Sequence, residues 1–427
     1  MHYFLYAFGS NGESQLGLGF TSDGEHAPTL VPAPPPRDNM SIRKICGGGN
    51  HTLVLADNDK VYVAGLNTDG QLGHMLTQRP SNRHAAHDER LIKFDKRYRD
   101  ISFCAATETT SAYILNGCSK QNKSPTPILY TEGRGRLGEL GRGEMDKTKD
   151  QFTINVFDKD TLSTPLAQFE NLGIVNTHIN THPEGFKFPR QVVDFAGGTW
   201  HYAAVLDNGD VWGWGKNRNG QLGPSQSETL IYPTNLLGIP FEADRVVCGK
   251  EFTYIVGRKN EGFHCILGSN KFRENMPDCV PHWKDIGATW NAVFVLFEDG
   301  SLIAFGTERQ WNLIPPNLPS IDQIAIGNSH VLALTAAGKL ISWGWGSHGN
   351  CGYLDPIKFP EGIVSGTFHE IQSSPPGDIR KIWAGASTSF VLTSCESPSV
   401  GELYPESDND AKQDIEKDVA ESQTMDV

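Results

Sequence analysis

The amino-acid sequence predicts an all-β chain closed into a β-propeller of seven four-stranded blades, and three observations carry that prediction. First, one phrase recurs: ICGGGNHTLVLADNDKVYVAGLNTDGQLG at 45–73, FAGGTWHYAAVLDNGDVWGWGKNRNGQLG at 195–223 and IAIGNSHVLALTAAGKLISWGWGSHGNCG at 324–352. Second, in each copy two apolar, β-branched or aromatic runs flank a tight polar turn such as Asp207-Asn208-Gly209-Asp210, which marks an antiparallel hairpin. Third, seven first halves of the phrase can be placed, at 45, 104, 195, 248, 287, 324 and 384, and the last has no second half. Residues 8–17, FGSNGESQLG, are a second half with no first. Repeats of this length, each too small to bury its own faces, stack into a ring of blades.

In chain order, residues 3–19 supply the missing half and are expected to complete the last blade with 381–395. The module at 45–73 follows, then RPSNRHAAHDERLIKFDKRYRD at 79–100, locally basic, which reads as a solvated linker and an outer strand. A weaker copy begins CAATETTSAYIL at 104–115, and the polar segment 117–190 reads as an insertion loop. Inside it, GRGRLG at 133–138 has the letters of a dinucleotide fingerprint. Such a site needs a strand before, a helix after and an acid about 20 residues on. Here it coincides with the Gly-Gln-Leu-Gly end of a blade, with Arg136 in place of Gln. Further first halves follow at 195, at 248 (CGKEFTYIV), at 287 with Glu298-Asp299-Gly300 as its turn, at 324 and at 384. Residues 1–395 thus form one propeller and 396–427 an acidic tail. The tail has ten acids, two bases and few branched or aromatic residues, so it is expected to be disordered.

Composition narrows the function classes. The net charge of −13, with no basic arm, argues against direct DNA binding. No apolar run approaches the roughly 18 residues of a membrane span, and MHYFLYAFGSNG does not read as a secretory signal. Eight scattered cysteines with no CxxC pair favour reduced thiols, hence the cytosol, with nuclear entry open.

Aligning the modules puts His51, Thr109, His201, Phe252, Trp290, His330 and Thr388 at one repeat position, three residues after a glycine where one is present. That glycine is expected to permit a close approach or a positive φ. The recurring histidines fall in different blades, so they read as hydrogen-bonded residues at strand starts, and no metal site is expected. With no G-x-S-x-G elbow, no HExxH and no cysteine in an electropositive setting, neither a cofactor nor an enzyme is expected. Aromatic residues stand out instead. Trp200, His201, Phe252, Tyr254, Trp290 and Trp311 lie at or near loops expected to open on one face near the axis, and they are the candidate partner site.

The combination G-x-x-H, Asp-Gly turn and WG-x-N-x-x-GQLG resembles the repeat of the regulator of chromosome condensation family, over about residues 3–395. WD40 and kelch signatures are not kept. The resemblance implies a seven-bladed propeller whose last blade is shared by both chain ends. The family's namesake is a nucleotide exchange factor for the small GTPase Ran. The opening YAFGSNGESQLGLG, followed by PTLVP, is more similar to the fungal α-tubulin suppressor branch. That resemblance implies a non-catalytic heterodimer partner of a small CSL-type zinc/iron protein. The pair would serve diphthamide formation on elongation factor 2 and Elongator-dependent modification of tRNA wobble uridines. Exchange on a Ran-like GTPase and a generic scaffold are the alternatives.

Overall fold

The computed structural model describes residues 2–32, 41–73, 90–115, 126–143, 185–225, 227–269 and 275–396. Its seven sheets form the seven blades of a propeller. Blade 1 is β3 (Ile42–Gly47), β4 (His51–Ala56), β5 (Val61–Leu66) and β6 (Arg90–Tyr98). Blade 2 is β7 (Phe103–Ala106), β8 (Thr110–Leu115), β9 (Ile128–Gly133) and β10 (Phe186–Lys187). Blade 3 is β11 (Val192–Gly197), β12 (His201–Leu206), β13 (Val211–Lys216) and β14 (Thr229–Asn235). Among the described residues blades 4 and 5 have three strands each: β15 (Ala243–Cys248), β16 (Phe252–Gly257) and β17 (His264–Gly268), then β18 (Trp283–Ala288), β19 (Ala292–Phe297) and β20 (Leu302–Gly306). Blade 6 is β21 (Ile321–Ile326), β22 (His330–Thr335), β23 (Leu340–Trp345) and β24 (Ile363–Glu370).

Blade 7 joins the chain ends. Its order is β2 (Ser22–Leu30), β1 (His2–Asn11), β26 (Thr388–Cys395) and β25 (Asp378–Ala384). The expected closure is present, with an unbroken register from His2 opposite Cys395 to Gly9 opposite Thr388. The N-terminus gives more than expected, since Ser22–Leu30 adds the outer strand beyond residue 19. Part of 117–190 also belongs to the ring: β9 and the loop after it lie within that segment, while 144–184 fall outside the described residues. The acidic tail lies outside them too, beyond Glu396.

The second strand of each blade is buried almost throughout because a blade is covered on both sides. In β4, Leu53 and Leu55 face blade 2, whereas Val54 and Ala56 face blade 7. Each pair of neighbouring blades closes one such cluster, so the core is a series of layers around the axis. The hairpin turns need one residue at positive φ, taken by Asp59, Gly209, Gly300 and Gly338. The glycine of the Trp-Gly pair ends the third strand at positive φ. A Cβ on Gly215 would sit 2.5 Å from the Trp200 carbonyl oxygen, so no side chain fits there.

Candidate functional site on the axial face

The loops between first and second strands converge on the axis, where Gly48, Thr107, Gly198, Gly249, Thr289 and Asn328 line a cavity of about 40 Å³. Each loop is pinned by one backbone bond across the G-x-x-H step, from Gly48 N to His51 O and equivalently at Thr107, Gly198, Gly249, Thr289, Gly327 and Gly385. These bonds correct two sequence assignments. The residue at the repeat position is Thr110, not Thr109, and Ala292, not Trp290. Adjacent loops are also tied around the axis, for example Gly49 N to Glu108 O, Glu108 N to Thr199 O and Trp290 N to Asn328 O.

Each repeat histidine is a fastener between blades. His51 Nε2 lies 3.0 Å from Ser111 Oγ in the next blade, and Ser111 Oγ donates to the Gln71 carbonyl at 2.6 Å. His201 reaches Thr253 Oγ1 at 3.0 Å, which donates to Gln221 O. His330 reaches Ser389 Oγ at 3.0 Å, which donates to Asn350 O. A hydroxyl has one proton, spent on the carbonyl, so it must accept from Nε2–H, which makes Nε2 the protonated nitrogen of a neutral ring. Burial keeps the rings neutral, depressing His51, His201 and His330 to about 4, 3 and 4. Among the described residues no group of three metal-ligating side chains occurs.

The glycine of G-x-x-H exists for the ring three residues on. Cβ atoms on Gly48, Gly198 and Gly327 would fall 2.1–2.6 Å from Cε1 of their own histidine. Close approach is thus the reason for this glycine, and none of these glycines has a positive φ. Where the glycine becomes Thr107 or Thr289, the ring becomes Thr110 or Ala292. Across these joints the polarity is matched. Thr110 meets the Tyr202 hydroxyl at 2.8 Å, while Phe252 stands before Val293 in an apolar cluster. Ala292 shares a cluster with Val331 and Trp311. This pairing of one blade's repeat residue with the next blade's following residue is readable in the sequence, once the modules are aligned as neighbours rather than one above another.

The six candidate partner residues separate. His201, Phe252 and Tyr254 are fully buried and Trp311 is 4% exposed, so these four side chains are not available to a partner. His201 is a fastener, Phe252 fills the histidine place over Gly249, and Tyr254 bonds His264 in the core. Trp311 stacks on Phe294 with the planes 12° apart. Trp290 is 36% exposed and Trp200 half-buried, both on axial loops. Lys250 Nζ sits 5.4 Å over the Trp290 ring.

The aromatic criterion missed a set of cations. Three residues beyond the strand-ending glycine, blades 2, 3 and 5 carry Arg136, Arg218 and Arg309, all exposed. Blade 4 has Lys271 at that position, outside the described residues. Blades 1, 6 and 7 have Thr68, Ser347 and Gly12. Exposed arginines therefore recur at one loop position in blades 2, 3 and 5, on a chain of net charge −13. Arg136 does not stand in for the Gln of GQLG. That place belongs to Glu139, which accepts from Leu137 N as Gln71 does from Asp69 N and Gln221 from Asn219 N. The stretch 133–138 is strand end and loop, with no helix.

Blades fastened by imidazole-to-hydroxyl bonds, with a velcro blade built from both chain ends, define a seven-bladed propeller of the G-x-x-H, GQLG type. The chain carries RCC1 (regulator of chromosome condensation) repeats: patterns for that repeat match residues 4–55 and 208–256, and 42–71, 192–221 and 321–350. An RCC1 repeat-containing protein of Schizosaccharomyces pombe is 25% identical over 81% of this chain and 88% of its own length. The secretion-regulating guanine nucleotide exchange factor of Mus musculus is 24% identical over 92% and 84%. Prp20p of Saccharomyces cerevisiae, studied for its binding to Gsp1p and histones, superposes with a TM-score of 0.66 at 18% identity, covering 99% of this chain and 95% of that one.

Proposed function

We propose that this propeller is a non-catalytic binding protein that holds another protein against blades 2–5 of its axial face. One observation carries the reading: exposed Arg136, Arg218 and Arg309 recur at one loop position in blades 2, 3 and 5, on an otherwise acidic chain. Their loops start beside the axial loops, one of which carries exposed Trp290. Basic side chains together with an aromatic anchor suit an acidic partner surface, steering encounter while the ring supplies buried area. The partner is a small CSL-type zinc/iron protein of diphthamide biosynthesis, and the pair also serves Elongator-dependent tRNA modification in the cytosol. Support for that partner is the resemblance of the opening YAFGSNGESQLGLG to the α-tubulin suppressor branch.

A second reading, nucleotide exchange on a small GTPase, is favoured by the likeness to the murine exchange factor over most of both chains. One experiment separates them. The tagged chain is purified from its host and co-purifying proteins are identified by mass spectrometry. A small cysteine-rich metal protein supports the first reading. A GTPase whose labelled GDP is released faster by the propeller supports the second and overturns the first. Reversing Arg136, Arg218 and Arg309 to Glu should weaken the recovered complex ~tenfold or more without lowering thermal stability. Unchanged affinity would remove these arginines from the interface.

A further inference from the structure

The joint between blades 7 and 1 departs from the other six. Thr388 holds the repeat position there, and the glycine that elsewhere clears space for a ring is kept as Gly385. Blade 1 likewise keeps the hydroxyl that elsewhere receives the imidazole, as Thr52. Only the ring is missing. Thr52 and Thr388 are 1% and 3% exposed, and neither Oγ1 has a hydrogen-bond partner. Between them lies a cavity of about 140 Å³, lined among others by Ser10, Gln15, His51, Thr52, His348 and Thr388. At the other joints His51, His201, Phe252 and His330 put a ring in that place, Tyr202 reaches in from the next blade, or apolar groups close up.

We infer that this seam is a binding site for a neutral, single-ring nitrogen heterocycle such as an azole. The size fits, since a cavity of about 150 Å³ admits a benzene ring. The polarity fits as well. A ring N–H can donate to the unpartnered Thr52 Oγ1, the same bond that His51, His201 and His330 give to the hydroxyl of their next blade, and Thr388 Oγ1 can donate to the ring's second nitrogen. A cation is disfavoured, since the three imidazoles in equivalent places are held neutral by burial. The site sits where the two chain ends are joined, so its occupancy is linked to the closure of the ring.

The test uses the full chain and imidazole itself, above neutral pH where the probe is uncharged. The midpoint of thermal unfolding should rise with the logarithm of imidazole concentration, and ligand-observed NMR should show saturable binding. Thr388→His places a ring on the chain in the same space. It should raise the midpoint in buffer and abolish both responses. Thr52→Val keeps the volume but removes the acceptor, and should weaken imidazole binding about tenfold, the loss of one buried hydrogen bond. Absence of saturable binding to the wild type would overturn the inference. So would a response that survives Thr388→His, or one untouched by Thr52→Val, which also serves if the histidine variant fails to fold.

Discussion

The joint between blades 3 and 4 and the joint between blades 4 and 5 have the same backbone and opposite chemistry. At the first, His201 is bonded to Thr253, itself bonded to Gln221. At the second, Phe252 folds over its glycine in the same way but stands before Val293 in an apolar cluster. What matters at a joint is the match between two residues on different blades, polar with polar or apolar with apolar. A mismatch buries a donor or acceptor without a partner, which costs about 1–3 kcal/mol. Blades can therefore drift in sequence while the ring stays closed, provided both sides drift together.

The largest expected effect comes from the joint shared by the chain ends. Deleting residues 1–30 removes β1 and β2, leaves β26 as an open edge and uncovers the blade 7 side of two core clusters. We expect no cooperative unfolding transition by calorimetry, and a chain that melts like the intact protein would contradict the closure. Next, Phe252→Ala should cost about 3–5 kcal/mol in urea denaturation, because a fully buried ring leaves a cavity between blades 4 and 5. Phe252→His is sharper. Although it restores the repeat letter, it should destabilise by roughly 1–3 kcal/mol because Val293 offers no acceptor, and adding Val293→Thr should recover part of the loss. If Phe252→His is neutral, the matching rule fails.

His201→Gln should cost less, about 1–2 kcal/mol near neutral pH, and its effect should depend on pH. The unfolded imidazole titrates near 6.5 and the folded one near 3, so below 6.5 the unfolded state binds the extra proton. The contribution of His201 is complete above that value and is lost as pH falls toward 3. The stability gap between wild type and His201→Gln should therefore shrink by about 1 kcal/mol per pH unit on acidification from 6.5, close after about one to two units and then change sign. Comparing two chains at each pH cancels groups of opposite sign, such as Glu139, whose carboxyl burial raises to about 7. A gap that stays constant with pH would mean that the folded imidazole is not held neutral.

Much of the fold was legible in the sequence. The apolar runs, the Asp-Gly turns and the unmatched halves at 8–17 and 384–393 gave the blade count and the shared blade, because hairpin chemistry is local and an unmatched half must find its complement. The outer strands were less legible. Ser22–Leu30 is a polar sequence, half-exposed at the edge of its sheet, with no apolar pattern to mark it. The candidate site was legible only in part. Trp290 and Trp311 lie in the same blade, 21 positions apart in a run of similar letters, yet the first is exposed beside Lys250 and the second is stacked on Phe294. Local pattern says that a side chain is apolar, but the neighbouring blade decides whether it is covered.

The sequence by itself determined the modules, their turns, the glycines and the need for the two ends to meet, since each follows from the steric and hydrogen-bonding demands of a few consecutive residues. Tertiary structure alone decided which aromatic side chains are buried and where a ring-sized gap remains. Those outcomes depend on contacts between residues about 40 to 340 positions apart, such as Ser389 Oγ to Asn350 O or Lys381 Nζ to Ile42 O, which only the closed ring brings together.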